Sequence, residues 1–427
     1  MSDLEARYRQ ISPRWLALYY QQPIELVRGE GRYVWDADGN RYLDFFGGIL
    51  TTISGHAVPE VVDAIREQAG KLLHTSTLYL SRPLVELAER IAALSGIPDA
   101  KVFFTPSGSE ANDAALLLTT CFRRSNQILA LRNSYHGRSF SAVAITGNRS
   151  WSPTSLSGLS VAYVHGGYRL RSPYRHLDDA AYTAACVLDL RDVIDMCTSG
   201  DVACMIAEPV QGVGGFAVPP DGFFGAMKEV LDGYGIPFVS DEVQTGWGRT
   251  GEHFWGYQAH GLVPDVLTFA KGIGNGLALA GVVAPAEIMD SVTANSISTF
   301  GGNPLATAGA LANLEYLLSH DLQGNALKMG HLFMERLRPL AERFGYVAEV
   351  RGRGLMIAVE TCHPGTITPW PEATAALMES CRRRGLLVGK GGLYGNVLRM
   401  APPLSLTGAE AAEGLDIIES AIEEVGA

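Results

Sequence analysis

Phe238-Val239-Ser240-Asp241-Glu242-Val243-Gln244-Thr245-Gly246 and, a little further on, Leu267-Thr268-Phe269-Ala270-Lys271-Gly272-Ile273-Gly274-Asn275-Gly276 decide how this chain reads. Each is a short apolar run that ends on a charged residue. Runs of this length suit strands buried on both faces by helices, as in a parallel α/β sheet. Open sheets of that kind bind ligands beyond the carboxyl ends of their strands, where Asp241 and Lys271 both fall. A carboxylate leaving a buried strand is partly desolvated and needs a cationic partner. A lysine in the same position loses proton affinity and becomes a usable nucleophile toward carbonyls. The bland readings are a helix cap or salt bridge for Asp241 and a solvent-reaching side chain for Lys271. The glycines after Lys271 weigh against the second, because they let another body approach the backbone.

Outward from these runs the same texture continues. Residues 102–105, 127–131, 142–146 and 205–208 read as further buried strands, and 110–124 and 222–234 as helices. The second helix has a stop signal in Gly235 and Pro237. From Pro304 the pattern changes to helices over 306–318, 323–344 and 371–384 with strands over 354–360 and 397–400, a smaller α+β lobe. Near the amino end, a helix is expected over 8–20. Strands 33–36 and 42–45 then flank the turn Asp38-Gly39-Asn40. The expected division is an N-terminal segment, 1–60, packed on the small domain, a large domain over 61–303, and a small domain over 304–427.

Composition limits the function. With 34 Lys plus Arg against 45 Asp plus Glu the net charge is −11, the wrong sign for a nucleic-acid partner. The six cysteines form no CxxC pair, so no metal site is expected. No apolar leader and no run of membrane-spanning length is present; a soluble, cytoplasmic protein is expected. Glycine is in excess, 48 of 427 residues, with no repeat to absorb it.

Thr105-Pro106-Ser107-Gly108-Ser109-Glu110-Ala111-Asn112 lies between a strand and a helix. Small residues at a helix start leave backbone N–H groups free for an anion, although the same pattern often makes only a turn and cap. A phosphate cradle, an acid for a ring nitrogen and a lysine for an aldehyde are together what a protein must offer pyridoxal phosphate.

On these residues the chain resembles the class III, or omega, aminotransferases of the fold-type I pyridoxal-phosphate enzymes. Further segments carry the likeness: Tyr135-His136-Gly137-Arg138, Glu208-Pro209-Val210-Gln211-Gly212, Thr299-Phe300-Gly301-Gly302-Asn303-Pro304 and Arg399-Met400-Ala401-Pro402-Pro403. The resemblance implies a large domain with a mostly parallel, seven-stranded sheet between helices, and a smaller α+β domain. It implies pyridoxal 5'-phosphate as cofactor, with Lys271 and Asp241 catalytic. Gly108 and Ser109 would hold the phosphate, and Tyr135 and Val243 would pack on the ring. Gln244 would bond the phenolic oxygen, with His136 and Glu208 also at the cofactor. Thr299 would reach the phosphate of a neighbouring subunit, making a homodimer, or a tetramer of such dimers, with shared sites.

For the substrate, the resemblance gives Arg399 the α-carboxylate and Glu208 the part of covering that arginine when the substrate is an ω-amine. Arg138 matches the residue that holds a distal carboxylate in the 4-aminobutyrate branch; a surface ion pair is the alternative. Phe46-Gly47-Gly48-Ile49-Leu50-Thr51-Thr52-Ile53-Ser54-Gly55-His56 is similar to the alanine–glyoxylate type 2 branch and puts Ile49 at the substrate. The implied reaction moves an amino group from an ω-amino acid, amine or alanine-like donor to 2-oxoglutarate, pyruvate or glyoxylate. A phospholyase, decarboxylase or racemase on the same fold is the alternative. The arginine-bearing stretch 165–176 reads as a solvated surface loop, and Gly391-Gly392-Leu393-Tyr394-Gly395 as a turn.

Overall fold

The computed structural model describes residues 3–426. Strands β1 (Leu26–Glu30), β2 (Tyr33–Asp36) and β3 (Arg41–Asp44) form an antiparallel meander near the amino end. The turn after β2 is built by Asp36, whose carboxylate accepts N–H groups of Asp38 and Asn40. The expected hairpin is present. The expected helix over 8–20 is not: the helix runs Asp3–Ile11, because Pro13 disfavours helical backbone at the residue before it.

The central sheet has seven strands. They are β4 (Ala100–Thr105), β5 (Gln127–Leu131), β6 (Ser160–Val164), β7 (Cys204–Ala207), β8 (Phe238–Asp241), β9 (Val266–Phe269) and β10 (Ala280–Pro285). Their order is β4-β10-β9-β8-β7-β5-β6, and β10 alone runs against the rest. The expected seven-stranded, mostly parallel sheet is therefore present, with one strand misplaced in the sequence reading. Residues 142–146 are not a strand; they fall in and after a helix, Phe140–Ala144, capped by the Ser139 hydroxyl accepting from the Ala142 N–H. Periodicity does not separate helix from strand in a run of five apolar residues, and the cap decided it. The edge strand β6 and the antiparallel β10 take the remaining places.

Strands β7, β8 and β9 are buried along their whole length. Their register sets Asp241 opposite Thr268, so the aspartate and the lysine three residues beyond Thr268 open on the same crevice. Apolar clusters pack both faces, one around Phe223, Phe224 and Phe238 and the other around Ala115, Ile128 and Val266.

The carboxyl-terminal part carries β11 (Val347–Arg353), β12 (Met356–Thr361), β13 (Leu386–Leu387), β14 (Gly389–Gly391) and β15 (Val397–Met400). Four of these form a sheet in the order β11-β12-β15-β14, while β13 adds in parallel to β3. Gly391 thus ends a strand, and the turn read there starts one residue later, closing with the Gly395 N–H on the Gly392 carbonyl at 3.2 Å.

Candidate active site

At the carboxyl ends of β8 and β9 lies a cleft of about 130 Å³ lined by Ser107, Gly108, Ser109, Asn112, Tyr135, His136, Gly137, Glu208, Asp241, Val243, Gln244 and Lys271. The sequence-derived cofactor residues thus converge, except Thr299.

Asp241 is buried, with both oxygens hydrogen-bonded. Its Oδ2 accepts from Asn112 Nδ2 at 2.8 Å and is 2.7 Å from His136 Nδ1; its Oδ1 accepts the Val243 N–H at 3.1 Å. The Thr268 hydroxyl donates to Asn112 Oδ1 at 2.7 Å, which orients the Asn112 amide so that its NH₂ meets Asp241. His136 therefore acts on the aspartate, and its buried Nε2 has no partner among the described residues. Asn112 and Thr268 were not singled out in the sequence reading. Asn112 lies four residues after Gly108 on the same helix, so it shares the face that meets the cleft, and that spacing was the available signal.

Lys271 follows β9 with φ +48, a left-handed conformation that costs a non-glycine residue about 1–3 kcal/mol. The turn it starts is held from outside, because Asn313 Nδ2 donates to the carbonyls of Gly272 and Ile273 at 2.9 and 3.0 Å. Burial depresses the lysine's pKa; Asp241 and Glu208 oppose this, and Arg399 adds to it. The amine makes no ion pair among the described residues.

The candidate phosphate cradle is the start of the helix Gly108–Arg123, where the Ser107 side chain caps the Glu110 N–H. Gly137, at φ +138, packs so closely that an added Cβ would lie 2.4 Å from Ser109 Oγ. Gly137→Ala should therefore push Ser109 aside and weaken cofactor binding by about 10- to 100-fold, the size of an overpacking penalty. Titration of the apoprotein by visible absorbance measures it, and an unchanged affinity would remove Ser109 from the cradle.

Glu208 is held by backbone groups. Its oxygens accept the backbone N–H groups of Tyr135 and Gly212, both at 2.9 Å, and it makes no ion pair with Arg399. Burial pushes its pKa up to about 7, with His136 opposing and Asp241 adding. It is an anchor for two loops, so no carboxylate covers Arg399 among the described residues. Arg399 is buried, with Nε donating to the Lys390 carbonyl at 3.1 Å and Nη1 to that of Gly212 at 3.0 Å. Phe46 and Phe216 lie on the guanidinium at 5.6 and 5.3 Å. Gly391 leaves the room: a Cβ there would stand 2.6 Å from Arg399 Nε.

Arg138 is exposed at the surface, over the ring of Trp15 at 5.3 Å, and makes no ion pair among the described residues. Ile49 is 41% exposed and outside the cleft lining; it sits in a left-handed turn at φ +64. Thr299 is exposed and away from this chain's own cleft. The 165–176 stretch is not simply solvated, since Tyr168 and Arg171 turn inward onto Glu360.

The donor set fits pyridoxal phosphate. A buried carboxylate stands at the end of one strand and a desolvated lysine at the end of the next, with a helix start between them and the sheet edge. Gln244, buried in the lining, has its amide oxygen without a partner among the described residues, an unmet demand that a hydroxyl on the ring would satisfy.

Known proteins agree with this geometry. The family description "Aminotransferase class-III" matches residues 17–422. An alanine–glyoxylate aminotransferase 2 homologue of Arabidopsis thaliana is 38% identical over 96% of this chain and 84% of its own length. An alanine/serine racemase of Pyrococcus horikoshii is 35% identical over 94% of this chain and 86% of its own. The crystal structure of an (S)-enantioselective omega-transaminase from Thermomicrobium roseum superposes with a TM-score of 0.91 at 35% identity, covering 100% of this chain and 99% of the other. The cofactor is pyridoxal phosphate, and by sequence, fold and site the chain belongs to the class III aminotransferases.

Proposed function

We propose that this aminotransferase moves the amino group of an alanine-like α-amino acid to a small 2-oxo acid, pyruvate or glyoxylate in class. The observation that carries this is Arg399, a buried guanidinium fixed by two carbonyls and two aromatic rings, with no carboxylate in an ion pair with it among the described residues. A buried cation costs several kcal/mol unless an anion joins it. A receptor of that kind favours a carboxylate in both half-reactions, and an ω-amine donor would leave it unpaired.

Pyridoxal phosphate, when bound, supplies an aldehyde that takes up the amino group and a ring that draws electrons from the substrate carbon. The chain's own residues do the rest. Arg399 binds the substrate carboxylate. The Lys271 amine, whose proton affinity burial lowers, would take the proton from the substrate carbon and deliver it to the carbon of the cofactor's aldehyde, as base and then acid. Asp241 holds a proton at the ring nitrogen, and His136, Asn112 and the Val243 N–H hold Asp241.

The site is completed by a second copy of the chain. Phe300, beside Thr299 in the chain, is 62% exposed, and its ring lies 5.1 Å from that of His74, an apolar group that a second copy would cover. This supports a homodimer in which Thr299 serves the partner's phosphate.

Incubation of the holoenzyme with alanine alone tests the reading. Stoichiometric pyruvate with conversion of the cofactor to its amino form supports it, and preference for an ω-amine over alanine overturns it. The racemase relative gives one competing reading on the same receptor: loss of alanine's optical rotation without pyruvate would establish that instead.

A further inference from the structure

The inward-turned residues of 165–176 belong to a buried charge cluster that the chemistry above does not use. Glu360 Oε1 accepts from Tyr168 Oη at 2.7 Å and Arg171 Nη2 at 3.1 Å. Glu360 Oε2 accepts from Arg351 Nη1 at 2.8 Å. Glu360 is fully buried and Arg351 nearly so. Buried ion clusters are weak devices for stability, because apolar residues of similar volume often serve as well. This one reaches something specific.

The far side of Arg351 binds the turn 212–216. Nε and Nη2 donate to the Gly215 carbonyl at 3.0 and 2.7 Å, and Nε also to that of Phe216 at 3.2 Å. In this turn Phe216 has φ +50, a conformation that persists only where its surroundings over-determine it. The Phe216 ring lies over Arg399, and Gly212 of the same turn accepts from Arg399 Nη1. One short turn is thus gripped by Arg351 on one side and grips Arg399 on the other. The grip needs several donors spread in a plane, which a guanidinium has and an ammonium lacks.

We propose that Arg351, braced by Glu360 and through it by Tyr168 and Arg171, is a positioning residue for substrate recognition: it holds the 212–216 turn so that Phe216 and Gly212 aim the Arg399 guanidinium at the substrate carboxylate. This rests on the reading of Arg399 as the carboxylate receptor. It also gives the arginine-bearing segment a task, to tie the β11–β12 hairpin to the large domain at the height of the substrate.

The test uses full-length holoenzyme and propionate, an unreactive carboxylate, by titration calorimetry, with steady-state kinetics on alanine and pyruvate. Arg351→Gln and Phe216→Leu should each weaken propionate by about 10-fold and raise KM comparably, the scale of a small misplacement of a binding group. Turnover at saturation and the visible absorption of the bound cofactor should stay at wild-type values. The double variant should be no worse than the worse single one, since both act through one turn. Should Arg351→Gln not fold, Arg351→Lys keeps the charge beside Glu360 and loses the fork, and the same readings apply. Unchanged propionate affinity in the variants, additive losses, or loss of turnover and cofactor absorption in step with KM would each overturn the proposal. Propionate binding that survives Arg399→Ala overturns the reading of Arg399 itself; binding lost there but kept in Arg351→Gln overturns the positioning role alone.

Discussion

Lys271→Ala should lower turnover by at least about 10⁴-fold, the upper range of what positioned proton transfer supplies, before the loss of the covalent hold on the cofactor is added. Three features converge on the residue. It leaves a buried strand, burial depresses its pKa, and it sits in a strained left-handed turn that Asn313 clamps. Lys271→Arg should fail nearly as badly, because a guanidinium stays protonated and cannot act as base. Borohydride treatment followed by denaturation separates this chemistry from simple loss of binding. Wild-type protein should retain the cofactor through denaturation and Lys271→Ala should release it. Retention in the variant would place the covalent attachment on another residue.

The distance between what the sequence tells and what the fold adds is clearest at this cleft. Asp241 and Lys271 were legible because each breaks an apolar run with a charge, and the parallel register then brings them together. The helix start at Gly108 was legible from its small residues. What binds these groups to each other was not. Asn112 and His136 reach Asp241 from two elements and Thr268 orients Asn112 from a third, and only the packing of helix on sheet makes them neighbours. The partners of Glu208 were not legible either: its motif was clear, but they are backbone N–H groups that no residue pattern announces. The 165–176 stretch looked polar and therefore exposed, since a sequence does not show that Glu360, far along the chain, waits underneath. Helix and strand were confused only at 142–146, where an apolar run is too short to show a period.

Asp241→Asn is the second large effect, and its cause lies in donor counting. In the wild-type site Oδ2 meets the Asn112 NH₂ and His136 Nδ1, and Oδ1 meets the Val243 N–H. All of these favour an acceptor. An asparagine must turn its own NH₂ toward one of the two sides. Toward Asn112 and His136 it sets donor against donor, and toward Val243 it does the same. Either way the negative charge that would keep the ring nitrogen of the bound cofactor protonated is gone, and the ring would draw fewer electrons from the substrate carbon. A preorganised electrostatic partner of this kind is worth about 10²- to 10³-fold in rate, and that loss is expected in the single-turnover reaction of alanine with the holoenzyme. Cofactor affinity should fall much less, because the helix start at Gly108 and Lys271 remain. Asn112→Ala, which removes one of the bonds to Asp241 but keeps the charge, should cost about 10-fold, an intermediate value set by one lost charge-assisted hydrogen bond. An Asp241→Asn protein that reacts with alanine within a few-fold of wild type would show that the proton at the ring nitrogen is held by another group.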